Sequence, residues 1–246
     1  MSETSQIIIN GHEKLPFKNQ KRCPNQELIA EEYLLGKEYS VESLSLDGQH
    51  QVIAITEKLT TRFPHFIELG HHSPARLTPE IQQKIQQLIL RFLEVIQHQN
   101  GPAHTEIKVH QDEIKIIESQ TRMGGDQIWE LTELTTGVDV ISETVFHLLG
   151  LSQNIKTKKA NAAAVLFFAR EFEEILDIQG IDSANHLPGI VRIDCTLKKG
   201  QKLGKLSSSL SRQGYILGTG STIDEAISSV SFAMTHVHIT TKAHID

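Results

Sequence analysis

Apolar and polar residues alternate through ELIAEEYLLG and then KEYSVESLSLDGQHQVIAITEK, with Asp47-Gly48 between the last two runs. A period of two marks strands covered on one face, and Asp-Gly between two such runs marks a tight hairpin. Strands are predicted near 28–34, 38–46 and 50–58. The polar lead before them carries Gly11, Pro16 and Pro24 and one short strand, Gln6 to Ile9. Residues 59–77, with His71, His72 and two prolines, read as a loop. Thr78-Pro79 then supplies an N-cap and a first-turn proline. Ile81, Ile85, Leu88, Phe92 and Ile96 follow at helical spacing, and Gly101 closes the helix.

Beyond it the period returns to two. HTEIKVH and IKIIES read as a second antiparallel hairpin, turning at Gln111 to Glu113. Helices are predicted over 139–149 and 160–178, the latter burying Ala162, Val165, Leu166, Phe168 and Phe172. GIVRIDCTL and GYILGTG are strands, and Thr222 with Glu225 three residues on forms a capping box that opens a last helix. The fold class is α+β: an antiparallel sheet with flanking helices, plus a small C-terminal α/β subdomain. The expected divisions are a poorly specified lead (1–26), a main domain (27–155) and a C-terminal helix and β-rich subdomain (156–246).

Composition narrows the function classes. Thirty acidic residues against 24 Lys and Arg give a net charge of −6 with no basic block, which argues against nucleic acid as a partner. Cys23 and Cys195 are far apart and lack metal-ligand spacing, so neither a disulfide framework nor a structural zinc is indicated. No apolar run reaches the length needed to span a bilayer, and the N-terminus lacks an apolar signal segment, so the expected location is cytoplasmic.

The chemistry concentrates in GPAHTEIKVHQDEIKIIESQTRMGGD. With a three-residue loop at Gln111 to Glu113, Glu106 lies opposite Glu118 on one face, with Cβ atoms about 5 Å apart. A two-residue loop puts them on opposite faces. Opposed like charges destabilise a sheet unless compensated, and Mg²⁺, which favours carboxylate and phosphate oxygens, would compensate them. Spacing alone also suits, and more readily, two solvated glutamates on the exposed face of a surface hairpin. His104 faces the same side as Glu106, whereas His236, His238 and His244 have no partner spacing.

This stretch resembles the metal-binding hairpin of ATP-grasp enzymes. The resemblance implies Mg²⁺ (or Mn²⁺) and ATP as cofactors, with Glu106 and Glu118 as metal ligands and Arg122 as the cation on the transferring phosphoryl group. It also places Gly124 and Gly125 where the backbone approaches substrate. Gln120 stands where the family has asparagine. Upstream, AEEYLLGKEYSVESL is similar to the family's adenine hinge. By that resemblance Glu31 and Glu32 lie beside the adenine amino group, the Tyr33 and Leu34 backbone forms the hinge hydrogen bonds, and Glu38 receives the ribose hydroxyls. The segments IAITEK, PHFIELGHHSPARLTPE, TGVDVI and GIVRIDC with RQGYILGTGSTIDEA resemble the L-amino acid ligase branch, with His71 and His72 facing substrate.

What is implied is the C-terminal part of an ATP-grasp fold. Its activity would be ATP-dependent ligation of a small-molecule carboxylate to an amine, such as an amino acid, through an acyl phosphate. The family's phosphate-gripping lysine and glycine-rich loop are not found before Glu27 although the chain opens with methionine. A split-gene product or a truncated copy is therefore expected, needing a separate N-terminal half and turning over very slowly alone. The alternative is a non-catalytic nucleotide- or metabolite-binding module derived from such an enzyme.

Overall fold

The computed structural model describes residues 31–61, 65–151 and 160–244. The predicted strand Gln6 to Ile9 lies outside them, as does the start of the strand expected at 28–34; residues 31–35 are not in a strand. In chain order come β1 (Lys37–Leu46), β2 (Gln49–Thr60), β3 (Glu68–Ser73), α1 (Pro79–Val95), β4 (Gly101–His110), β5 (Glu113–Gln120), α2 (Ile128–Thr136) and α3 (Val140–Leu148). There follow β6 (Ala162–Phe167), β7 (Glu173–Gln179), α4 (Ile181–Asn185), β8 (Ile190–Cys195), β9 (Lys202–Leu203), β10 (Gly214–Gly220), α5 (Ile223–His236) and β11 (His238–Ala243).

The fold is α+β. An 8-stranded sheet runs in the order β5-β4-β1-β2-β3-β6-β10-β8, and β11-β7-β9 form a second sheet of 3 strands. All pairs are antiparallel. The large sheet continues through β6, β10 and β8, all beyond residue 155. One face packs on α1, whose Ile81, Ile85, Ile89 and Leu93 meet Tyr39, Val41, Ile55, Ala103 and Ile107. Burial of this stripe, at about 1.5–3 kcal/mol per large side chain, holds the helix on the sheet. Thr78 caps it by accepting from the Ile81 N–H at 3.4 Å. The helix ends at Val95 rather than at Gly101, which instead opens β4 at φ +106°.

Three expectations are corrected. The loop predicted at 59–77 contains β3, whose histidines are buried between β2 and β6. The helix predicted at 160–178 is instead β6 and β7. AAAVLF is buried on both faces of a strand between β3 and β10, and a continuous apolar run carries no period that separates such a strand from a helix. The β4–β5 turn is the third: His110 pairs with Glu113, so the connection has two residues. Among the described residues no helix is long and apolar enough to cross a membrane.

Candidate functional site

Over β1 to β4 the face of the large sheet opposite α1 is polar and largely buried, whereas over β6 and β10 the same face is apolar and packs on α2. Strand alternation with the observed register puts Glu38, Ser40 and Glu42 of β1 on that face with Thr56 and Lys58 of β2, His71 of β3, and His104 and Glu106 of β4. Two bulges complete it. Ile117 is unpaired between Glu106↔Glu118 and Ile107↔Ile116, which restores the opposition of the two glutamates despite the two-residue turn. Leu69 is unpaired between Leu59↔Gly70 and Thr60↔Glu68, which turns Glu68 to the side of Lys58.

Lys58 is the hub. Its side chain is 2% exposed, and Nζ lies 2.6 Å from Glu106, 2.9 Å from Glu38 and 2.9 Å from Glu68. Burial alone would lower its pKa, but Glu68, Glu106 and Glu38 outweigh that and hold it well above the ordinary lysine value. Glu106 is driven down to about 2: burial opposes ionisation, and the His104 hydrogen bond and Lys58 overcome it. His104 Nε2 is 3.4 Å from Glu106, while Nδ1 meets Glu42. Burial disfavours the imidazolium, yet Glu106 and Glu42 raise its pKa to about 9. The second Glu42 oxygen accepts the Gly124 N–H at 2.9 Å, tying the loop after the hairpin to the sheet.

At the other end of the hub, Glu68, His71 and Asp126 offer ligand atoms within 4.8 Å of one another. His71 is buried, and neither ring nitrogen has a hydrogen-bond partner. Desolvation lowers its pKa to about 3, so the ring is neutral. Asp126 and Gln127 are both left-handed, at φ 50° and 66°, which turns the chain into α2 and sets Asp126 against Arg212 at 2.7 Å. Burial and a hydrogen bond with Glu68 push Asp126 up; Glu68 itself is held below the carboxylate range, burial being outweighed by Asp126 and Lys58. Arg212, from the segment before β10, also donates to the Glu68 carbonyl at 3.1 Å and stacks 3.8 Å over Phe167. Because Lys58 and Arg212 already pair Glu68 and Asp126, this corner suits a polar group of a small molecule better than a resident cation.

The sequence-predicted residues fall into three groups. Glu38, Glu106 and His104 are drawn into the hub. Glu118 is exposed opposite Glu106 and accepts from Gln120 Nε2 at 3.0 Å; Arg122 is exposed, with Nη1 on the Met123 carbonyl at 2.7 Å. Gly124 is buried against Glu42, while Gly125 has open space beside it. Glu31 and Glu32 are exposed, and Tyr33 and Leu34 line a small cleft with Lys108, which donates to the Leu34 carbonyl at 3.1 Å. His72 is not brought in: it pairs with Glu57, the register setting it on the opposite face from His71, 3.7 Å from the Glu57 carboxylate. Lys58, Glu68, Asp126, Arg212, Glu42 and Lys108 were not singled out by sequence. Glu106 and Glu118 offer hard oxygen donors from opposed positions on one face, and this donor set fits Mg²⁺.

The chain matches the ATP-grasp domain family over residues 10–130 and the L-amino acid ligase C-terminal domain 2 family over residues 169–242. An uncharacterized protein of Sinorhizobium fredii is 24% identical over 217 residues, covering 85% of this chain and 44% of that protein. Carnosine synthase 1 of Gallus gallus is 24% identical over 147 residues, covering 58% of this chain and 16% of its own length. In fold the chain is similar to L-amino acid ligase from Bacillus licheniformis, with TM-score 0.73, 20% identity and coverage of 87% and 55% of the two chains. It is equally similar to phosphoribosylglycinamide synthetase from Anaerococcus prevotii, with TM-score 0.73, 17% identity and coverage of 86% and 55%. The chain thus spans about half the length, or less, of the proteins it matches.

Proposed function

Because this chain belongs to the ATP-grasp superfamily, in its L-amino acid ligase-like branch, we propose that it is the C-terminal half of a carboxylate–amine ligase. The activity is ATP-dependent amide formation between small molecules through an acyl phosphate, completed by an N-terminal half. The observation that carries this reading is the opposition of Glu106 and Glu118 on one face, in the same sheet as Glu38 and one strand from the hinge segment. ATP with Mg²⁺ supplies the phosphoryl group that converts a carboxylate into an acyl phosphate, the species an amine then attacks.

In this reading Glu106 and Glu118 hold the metal, Glu38 receives the ribose, and the Tyr33 and Leu34 backbone takes the adenine. Gln120 lies near Glu118 as a further nucleotide contact. Arg122, exposed and held among the described residues only by its neighbour's carbonyl, would turn toward phosphoryl oxygens. Gly125 leaves room for substrate, and the closely packed Gly124 keeps its loop against the sheet. Glu68, the neutral His71 and Asp126 face the small molecule. The L-amino acid ligase match makes amino acids the first substrates to try, and a cytoplasmic setting suits their supply.

Titration calorimetry with a non-hydrolysable ATP analogue, with and without Mg²⁺, tests the cleft. Metal-dependent binding that disappears in Glu106→Ala/Glu118→Ala is expected; a folded chain that binds equally in all four conditions refutes the metal assignment. Co-expression with an N-terminal ATP-grasp half should then give amino-acid-dependent ADP formation. Metal-dependent binding without turnover in that setting would favour a nucleotide-binding module.

A further inference from the structure

The Lys58 ammonium is enclosed by carboxylates from three different strands: it donates to Glu106 of β4 at 2.6 Å and is ion-paired at 2.9 Å with both Glu38 of β1 and Glu68 of β3. Burying such a cluster costs desolvation that packed apolar residues at the same positions would avoid, so stability does not account for it. His104 stands beside Glu106 and Arg212 beside Glu68, but without the ammonium the three carboxylates would outnumber these cations and attract free divalent cations. We propose that Lys58 is a built-in monovalent placeholder that keeps free divalent metal off Glu106 and admits it only with the nucleotide's phosphates. Lys58 is on this view a positioning residue. When Glu106 turns to a metal, one Lys58 N–H loses its acceptor and becomes available to an incoming phosphate oxygen, so release of the lysine is coupled to arrival of the anion. The proposal rests on the reading of Glu106 as a metal ligand.

The test is nucleotide-free Mn²⁺ binding to the full chain, followed by the loss of the free Mn²⁺ electron paramagnetic resonance signal, which does not depend on turnover. Lys58→Met is expected to bind Mn²⁺ at least about tenfold more tightly than the wild type, since a unit positive charge is removed from beside the ligand oxygens. Lys58→Arg, which keeps the charge, should behave as the wild type. Adding Glu106→Gln to Lys58→Met should abolish the gain. Should Lys58→Met fail to fold, Lys58→Met/Glu68→Gln takes its place: it has the same net charge as the wild type but no ammonium at the centre of the cluster, and the same gain is expected. Equal Mn²⁺ affinity in the wild type and the folded variant overturns the placeholder role. A gain that survives Glu106→Gln overturns instead the assignment of Glu106 as ligand.

Discussion

Gly124 and Gly125 are adjacent and lie in the same loop, yet the structure sets opposite outcomes for the same substitution. A Cβ at Gly124 would lie 2.9 Å from Glu42 Oε1, 2.9 Å from His104 Nδ1 and 2.9 Å from Ile128 Cγ2. None of these neighbours can swing away, because Glu42, His104 and Ile128 are 2%, 4% and 2% exposed. The Gly124 N–H is also committed to Glu42 at 2.9 Å. Gly124→Ala must therefore part the Glu42–His104 pair or lift the loop that carries Arg122 and Asp126. Overpacking of this kind costs about 1–3 kcal/mol. For a chain of this size that is roughly 3–10 °C in melting temperature. At Gly125 nothing lies within 4 Å, and Gly125→Ala should change stability by less than about 0.5 kcal/mol. Urea unfolding of the three proteins measures both values. If Gly124→Ala lies within about 0.5 kcal/mol of the wild type at unchanged m-value, the wedge argument is wrong.

Glu118→Gln should leave the urea midpoint within about 0.5 kcal/mol of the wild type, because the side chain is exposed, while weakening Mg²⁺-dependent binding of the ATP analogue tenfold or more; calorimetry beside unfolding separates the two effects. Ile89→Ala, at a fully buried position in the α1 stripe, should cost about 2–5 kcal/mol, and a loss under 1 kcal/mol by the same unfolding assay would show that the stripe collapses around the gap. The pH dependence turns on His71, whose folded pKa of about 3 lies below its ordinary 6.5. The unfolded chain binds the extra proton, so this contribution is present above pH 6.5 and is lost as pH falls toward 3, by an order of a few kcal/mol in total. Glu68 and Glu106 act only below their ordinary value of 4.5, so the window from pH 6.5 to 4.5 belongs to His71, to His72, which is also lowered, and to Asp126, whose raised pKa works in the opposite direction. His71→Gln should flatten the decline of stability in that window without removing it, and an unchanged slope would mean that the ring is not held neutral.

The elements with a clean period were legible in the sequence: both hairpins, α1, α3 and the helix capped by Thr222 stand where alternation and capping put them. What failed was the assumption that polar positions on a strand face solvent. Ser40, Glu42, Thr56, Lys58, His71 and His104 are all buried, so the polar face of these strands is a second interior. Alternation assigns residues to faces but says nothing of what covers each face. The bulges at Ile117 and Leu69 were equally silent, and they decide which acids meet: the first restores Glu106 to Glu118, the second sends Glu68 to Lys58. Asp126 and Arg212 lie 86 positions apart, and only the fold juxtaposes them.

Charges across that interior alternate in sign along one connected path. From Glu42 it passes to His104, Glu106, Lys58, Glu68, Arg212 and Asp126, each step an ion pair or hydrogen bond shown by the structure. No member is a lone buried charge, which is the condition under which charges can be buried at tolerable cost. The path also links three parts of the proposed cleft. Glu106 belongs to the hairpin proposed to hold the metal, Lys58 touches Glu38, the proposed ribose acceptor, and Arg212 brings the C-terminal region to Glu68. A ligand that draws Glu106 away leaves Lys58 and His104 with an acceptor fewer, so occupation of one end must be felt at the other. Coupling of this kind needs no moving domain. It requires that Glu106 have two competing sets of partners, and the register of β4 beside β1 and β5 provides them.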